Sequence, residues 1–233
     1  MVESLPIVMV PGLLCSARLY QGQVPALWRL GPVTIADTTR DDSLPAMARR
    51  LLATAPPRFA LVGLSMGGYL AFELLRQAPE RVLQLALLDT SARADTPEQS
   101  AQRRALIAQA QEGRLLEIVD ALFPRFVHPD REHDAELRRV VRAMADDVGS
   151  EAFVRQQTAI LGRPDSRPQL ERIRCPTLVL VGDGDVITPP EVAQEMADAI
   201  AGARLSVLPG VGHASSIEAP EQVTRELVQF LSS

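Results

Sequence analysis

Phe59-Ala60-Leu61-Val62-Gly63-Leu64-Ser65-Met66-Gly67-Gly68 carries the clearest structural signal in the chain. Its first six residues form an unbroken run without a charge, as expected of a strand buried on both faces of a parallel sheet. From Met66 a helical pattern begins, with apolar residues at Leu70, Phe72, Leu74 and Leu75, and it continues to Gln77. Ser65 therefore falls on a sharp strand-to-helix turn, inside a G-x-S-x-G motif. Such a turn imposes unfavourable backbone angles on its central residue, and a Cβ at Gly63 or Gly67 would strike a neighbour. The new helix points its N-terminus at any oxygen reacting with Ser65 and favours negative charge there.

Outward from this turn, Leu5 to Val10, Val33 to Ala36 and Val82 to Leu88 read as further buried strands, and Leu44 to Ala53 reads as an amphipathic helix. Strand-helix alternation of this kind predicts a doubly wound α/β fold. It stops after Thr90. Residues 92–174, 83 in number, read as three or four amphipathic helices with no strand. Alternation resumes with a strand at Thr177 to Val181, a helix start at Thr188-Pro189-Pro190-Glu191 with a capping threonine, a strand at Arg204 to Leu208 and a helix from Pro220 to Phe230. The expectation is an α/β core of residues 1–91 and 175–233 with a helical insertion, residues 92–174. The insertion holds 14 Arg against 14 Asp plus Glu, so it is not a basic arm, and the chain's net charge of −5 belongs to the core.

All 24 basic residues are arginine, and the 233 residues contain neither lysine nor asparagine. Schiff-base chemistry, a pyridoxal-phosphate anchor, a G-x-x-x-x-G-K-[ST] loop and a serine-lysine dyad are excluded. So are an N-glycosylation acceptor and a cysteine-histidine-asparagine triad. The acidic balance and the few aromatics argue against nucleic acid. Cys15 and Cys175 are too few for a disulfide scaffold, which suits a reducing compartment. The apolar run from Leu5 to Leu14 is broken by Pro6 and Pro11-Gly12 and lacks a basic flank, so it reads as a strand meeting a loop. No stretch approaches the roughly 18 to 20 apolar residues of a membrane span. A cytoplasmic location is the expectation, and oligomeric state is not legible.

A serine hydroxyl needs a base, and three histidines supply the only candidates. His213 lies in Pro209-Gly210-Val211-Gly212-His213, a loop after a strand, where a parallel sheet places ligand-facing residues. His128 and His133 lie among carboxylates in the insertion, but without H-E-x-x-H spacing and with Pro129 between them, so a polar turn is the better reading than a metal site. An acid to orient the base comes from Val181-Gly182-Asp183-Gly184-Asp185. Asp185, deeper in the turn, is preferred; Asp183 reads as a turn former. Asp89, which closes an earlier strand, reads as a structural turn residue. Pro11-Gly12-Leu13-Leu14-Cys15 follows the first strand, and the amides of Leu13 and Met66 are the expected oxyanion-hole pair. Cys15 has no histidine near it in sequence and reads as a small buried hydrophobe.

Gly63-Leu64-Ser65-Met66-Gly67-Gly68, Val181-Gly182-Asp183-Gly184-Asp185 with Thr188-Pro189-Pro190, and Gly212-His213 with Glu218-Ala219-Pro220-Glu221 together resemble the α/β-hydrolase superfamily, in particular its small bacterial carboxylesterases and enol-lactonases. The resemblance spans essentially the whole chain. It implies Ser65 as nucleophile, Asp185 as triad acid and His213 as base, with residues 92–174 as a variable lid. Because the chain begins at the strand equivalent to the superfamily's third, it also implies a mostly parallel sheet of about six strands. Two departures stand out: Pro11-Gly12 replaces the usual His-Gly, and Asp37-Thr38-Thr39-Arg40-Asp41-Asp42-Ser43 replaces a glycine-rich loop.

The expected chemistry is hydrolysis of a small ester or lactone through an acyl-enzyme, with no metal or organic cofactor. Thioester hydrolysis, carbon-carbon bond hydrolysis, perhydrolysis and lyase activity share the same triad, and a non-catalytic ligand-binding protein on this scaffold is a more remote alternative. Leu122, Phe123, Phe126, Phe153 and Ile160 of the insertion are the expected substrate-binding residues, favouring a short or medium acyl group. Arg125 and Arg155 are candidates for a substrate carboxylate.

Overall fold

The computed structural model describes residues 5–232. Six strands, β1 (Ile7–Val10), β2 (Val33–Ile35), β3 (Phe59–Leu64), β4 (Val82–Leu88), β5 (Thr177–Gly182) and β6 (Arg204–Leu208), form one sheet in the order β2-β1-β3-β4-β5-β6. Every neighbouring pair is parallel. The helices are α1 (Val24–Leu27), α2 (Leu44–Thr54), α3 (Met66–Gln77), α4 (Pro97–Gln111), α5 (Leu115–Phe126), α6 (Ala135–Leu161), α7 (Arg167–Leu170), α8 (Pro190–Ala199), α9 (Ser215–Glu218) and α10 (Pro220–Leu231).

Side chains alternate across each strand and feed two cores. On one face Ile7, Met9, Val62, Leu64 and Leu180 pack with Leu27 of α1 and Leu227 and Phe230 of α10. On the other Val8, Val10, Leu61, Leu87 and Val181 pack with Met47 of α2, Phe72 of α3 and Met196 of α8. Each fully buried Leu or Phe contributes about 2 kcal/mol relative to exposure. Covering both faces is why β1, β3 and β5 are buried at every position and why their sequences carry no charge and are apolar but for Thr177 at the start of β5.

The all-arginine composition has a visible use at Arg81. Its guanidinium donates to the carbonyls of Leu52, Ala55, Pro56 and Pro57, closing the C-terminal end of α2, and it lies over the Phe59 ring. A lysine ammonium has only three donors and no planar fork to span these acceptors.

Three local features differ from the sequence reading. The strand expected from Leu5 begins at Ile7, after Pro6, which has no amide to give a ladder. Thr188 does not cap a helix: α8 starts at Pro190 with Pro189 at the cap position, and the threonine side chain turns toward Asp185. The α6 helix is interrupted at Gly149, whose φ of 77° and ψ of 164° suit glycine alone, so residues 135–148 and 150–161 run as two arms.

The chain enters at β1, adds β2 on one side, and crosses to β3 on the other. Strand order therefore reverses between β1 and β3, where the loops at the carboxyl ends of neighbouring strands diverge and open a crevice. Ser65 follows β3 at that point, and the helical segment between β4 and β5 lies over it.

Candidate active site

The β3-to-α3 turn holds Ser65 at φ 56° and ψ −114°, a left-handed conformation that an L residue adopts only under constraint. The constraints are identifiable. The Ser65 amide donates to the Leu88 carbonyl at 2.9 Å, and its carbonyl accepts from the Thr90 hydroxyl at 2.7 Å. A Cβ on Gly67 would lie 2.1 Å from the Val10 carbonyl oxygen, and one on Gly63 would lie 2.5 Å from that of Gly67, so both positions need glycine.

His213 and Asp185 arrive from the loops after β6 and β5. The Ser65 Oγ lies 2.9 Å from His213 Nε2, and His213 Nδ1 lies 2.8 Å from Asp185 Oδ2. Asp185 also accepts from the amides of Ile187 and Thr188 and, at 2.7 Å, from the Thr188 hydroxyl. Both ionisable groups are buried, at 2% and 5% exposure for Asp185 and His213. Burial pulls the imidazole down, but the charge and hydrogen bond of Asp185 outweigh it and hold His213 above its ordinary 6.5. Burial likewise pushes Asp185 up, and His213 and the Thr188 donors bring it below the usual carboxylate range.

Asp183 is used differently: its Oδ1 accepts from the Gly210 amide at 2.8 Å and from the Val211 amide at 3.3 Å, tying the turn after β5 to the loop that carries His213. Asp89, fully buried at φ 45°, ends β4 and accepts from the Gly182 amide and the Ser215 hydroxyl. It thus links the strand end before Asp185 to the residue two past His213. Burial, and then the charge of Asp185, push its carboxyl well above the usual range.

The loop after β1 presses against the serine, since a Cβ on Gly12 would lie 3.4 Å from Ser65 Cβ. Among the described residues, the amides of Leu13 and Met66 have no protein acceptor, and the latter opens α3. Cys15 Sγ donates to the Leu13 carbonyl at 3.4 Å, and burial pushes its thiol up to about 12, too high for a thiolate near neutral pH.

A cavity of about 150 Å³ opens onto Ser65 and His213. Its walls are mostly apolar, and Leu122, Phe126 and Ile160 are among the residues that form them. Phe123 and Phe153 do not. Both have 0% exposure inside the core, and Arg138 of α6 stacks on the Phe123 ring at 4.4 Å. Helical spacing alone does not separate a wall position from a packing position one residue away. Arg125 lines the cavity, whereas Arg155 donates to the Thr39 carbonyl outside it. Arg103, not anticipated, also lines it and pairs with Asp95 at 2.6 Å.

Neither of the other histidines approaches the serine. His128 packs its ring against Gly184, and His133 is exposed beside Glu132. Among the described residues no group of three or more His, Cys, Asp or Glu side chains could hold a metal ion, and no helix is long and apolar enough to cross a membrane.

A hydroxyl bonded to an imidazole whose far nitrogen faces a buried carboxylate can pass its proton to the ring as it attacks an electrophile. Similarity to known proteins runs along the same lines. A family model described as the alpha/beta hydrolase family matches residues 7–226. A pimeloyl-[acyl-carrier protein] methyl ester esterase of Nitrosomonas europaea is 29% identical over 93% of this chain and 91% of its own. A thermophilic esterase from Thermogutta terrifontis superposes with a TM-score of 0.88 at 30% identity, covering 98% of this chain and 89% of that one. The enol-lactonase from Burkholderia xenovorans superposes with a TM-score of 0.89 at 26% identity, covering 99% and 92%.

Proposed function

The chain belongs to the alpha/beta hydrolase family, and from that premise we propose that it is a serine hydrolase of carboxylic esters or lactones, working through an acyl-enzyme. The observation that carries this reading is the unbroken hydrogen-bonded line from Ser65 Oγ through both nitrogens of His213 to Asp185 Oδ2. Ser65 attacks the carbonyl carbon as His213 Nε2 takes its proton, and Asp185 fixes the tautomer and stabilises the imidazolium. The Leu13 and Met66 amides receive the oxyanion, a contribution of about 3 kcal/mol for one donor in comparable sites. The protonated His213 then gives its proton to the leaving oxygen, and water repeats the sequence on the acyl-enzyme. Residues 92–174 act as the lid, with Leu122, Phe126 and Ile160 facing a short or medium acyl group. Ser65→Ala should abolish hydrolysis of p-nitrophenyl butyrate and labelling by a fluorophosphonate; full activity in that variant would overturn the reading.

One observation favours a narrower reading, in which the substrate also carries a carboxylate. Two arginines, Arg103 and Arg125, line the cavity and no Asp or Glu does, in a chain of net charge −5. Arg125 has no ion-pair partner among the described residues, so its charge is available to an anion.

A further inference from the structure

Two neighbouring glutamines on the second arm of α6 do different work. Gln157 lines the cavity and accepts from Arg103 at 2.8 Å, while Gln156 is fully buried and faces the loop after β1. We propose that Gln156 is a positioning residue for the oxyanion hole, holding the Gly12-Leu13-Leu14 loop against Ser65 from the helical segment above the cavity. The proposal rests on the role assigned to the Leu13 amide under the proposed function.

Among the described residues, Leu14 is one of three non-glycine residues with a positive φ, at 59°; the others are Ser65 and Asp89. A leucine stays in this region only where surrounding contacts hold it. Gln156 Oε1 supplies one such contact by accepting the Leu14 amide at 3.1 Å. The second is the Cys15 amide, which donates to the Gly12 carbonyl at 3.2 Å. Leu13 lies between these two fixed points, so the direction of its amide is set by both. Gln156 is itself fixed, because its Nε2 donates to the Thr38 hydroxyl at 3.1 Å and to the Thr38 carbonyl at 3.4 Å. With both ends of the amide engaged, it cannot flip without losing its partners.

One side chain thus joins three segments: the loop after β1, the loop after β2 and the helical arm over the cavity. Pro11 occupies the place where the resemblance leads one to expect a histidine, and proline has neither an amide hydrogen nor a side-chain donor to brace the loop. Gln156 provides the brace from above. Without it, a buried Leu14 amide would be left unpaired, and relaxation of Leu14 out of the left-handed region would re-aim the adjoining peptide.

The test measures kcat and KM for p-nitrophenyl butyrate, together with the affinity of a trifluoromethyl ketone that forms a tetrahedral adduct with serine. Gln156→Met, which keeps the volume and removes the acceptor, should lower kcat about 10- to 100-fold with KM nearly unchanged and weaken the ketone by a matching factor. Gln156→Glu keeps an oxygen that accepts the Leu14 amide but loses the Nε2 donation to Thr38, so its kcat should fall between those of the wild type and Gln156→Met. A change in KM alone, or a wild-type kcat in Gln156→Met, overturns the proposal. Should Gln156→Met fail to fold, Thr38→Ala loosens the same brace: kcat should fall several-fold at constant KM, and an unchanged kcat is equally fatal. Wild-type hydrolysis is measured first, since its absence overturns the functional reading itself, whereas hydrolysis without dependence on Gln156 overturns only this proposal.

Discussion

Replacing Asp89 by asparagine should stabilise the protein by an amount that grows with pH. The side chain is fully buried, and asparagine preserves its shape: Oδ1 can still accept from the Gly182 amide, and the new NH2 can donate to Ser215 Oγ. Burial and the Asp185 charge hold the native carboxyl well above its ordinary value, whereas in the unfolded chain it ionises near the reference value of about 3.9. Between those two values the native state binds one proton more than the unfolded state. The stability contributed by Asp89 is therefore greatest below the unfolded pKa and falls as pH rises toward the folded one. Within that window the slope is about −1.4 kcal/mol per pH unit. Asparagine carries no such proton. Urea unfolding of both proteins at pH 5, 6 and 7 should show the gap in unfolding free energy widening with pH in favour of Asp89→Asn. A gap that stays constant, or narrows, would refute the assignment of a neutral Asp89.

Two further outcomes follow from the site. The proposed mechanism needs the neutral ring and Asp185 holds His213 above 6.5, so kcat/KM should rise with pH through an inflection above 6.5; an inflection at or below that value would show that burial prevails over the carboxylate. For the narrower substrate reading, the ratio of kcat/KM for monomethyl glutarate to that for dimethyl glutarate should fall roughly three- to tenfold in Arg125→Gln, about 0.7 to 1.4 kcal/mol. An unchanged ratio would remove Arg125 from substrate recognition.

The sequence was most legible where a buried run ends abruptly in a turn. Phe59–Leu64, Val82–Leu88 and Arg204–Leu208 coincide with observed strands because Ser65, Asp89 and Pro209-Gly210 interrupt them. The same logic brought Ser65, Asp185 and His213 into view, since each follows a strand end. Asp183 and Asp185, two residues apart, separate in the structure because only one side chain reaches the imidazole while the other takes the amides of Gly210 and Val211. What stayed hidden depends on contacts remote in sequence. Gln156 meets Leu14 across 142 positions, and a glutamine within a helix carries no local sign of that partner. Thr188 before two prolines has the form of a helix cap, yet the acceptor it serves is Asp185. Phe123 and Phe153 have the composition of a pocket wall, but tertiary packing turns them into the core.

The break at Gly149 divides the helical segment into parts of unequal replaceability. A Cβ there would meet nothing within 4 Å, so backbone conformation and not crowding makes the position a glycine. Beyond it, Phe153 packs into one core while Ala159 and Ile160 pack into the other, and Gln156 grips two loops. Residues 150–161 therefore behave as a mount between the two cores, while residues 115–145 anchor on the first core alone, where Ile118, Phe123 and Met144 lie and where the Phe126 carbonyl accepts the Ala214 amide. A redesign meant to reshape the cavity of this hydrolase should therefore leave residues 150–161 and the hold of the Phe126 carbonyl on Ala214 in place, and confine the exchange to wall positions such as Leu122.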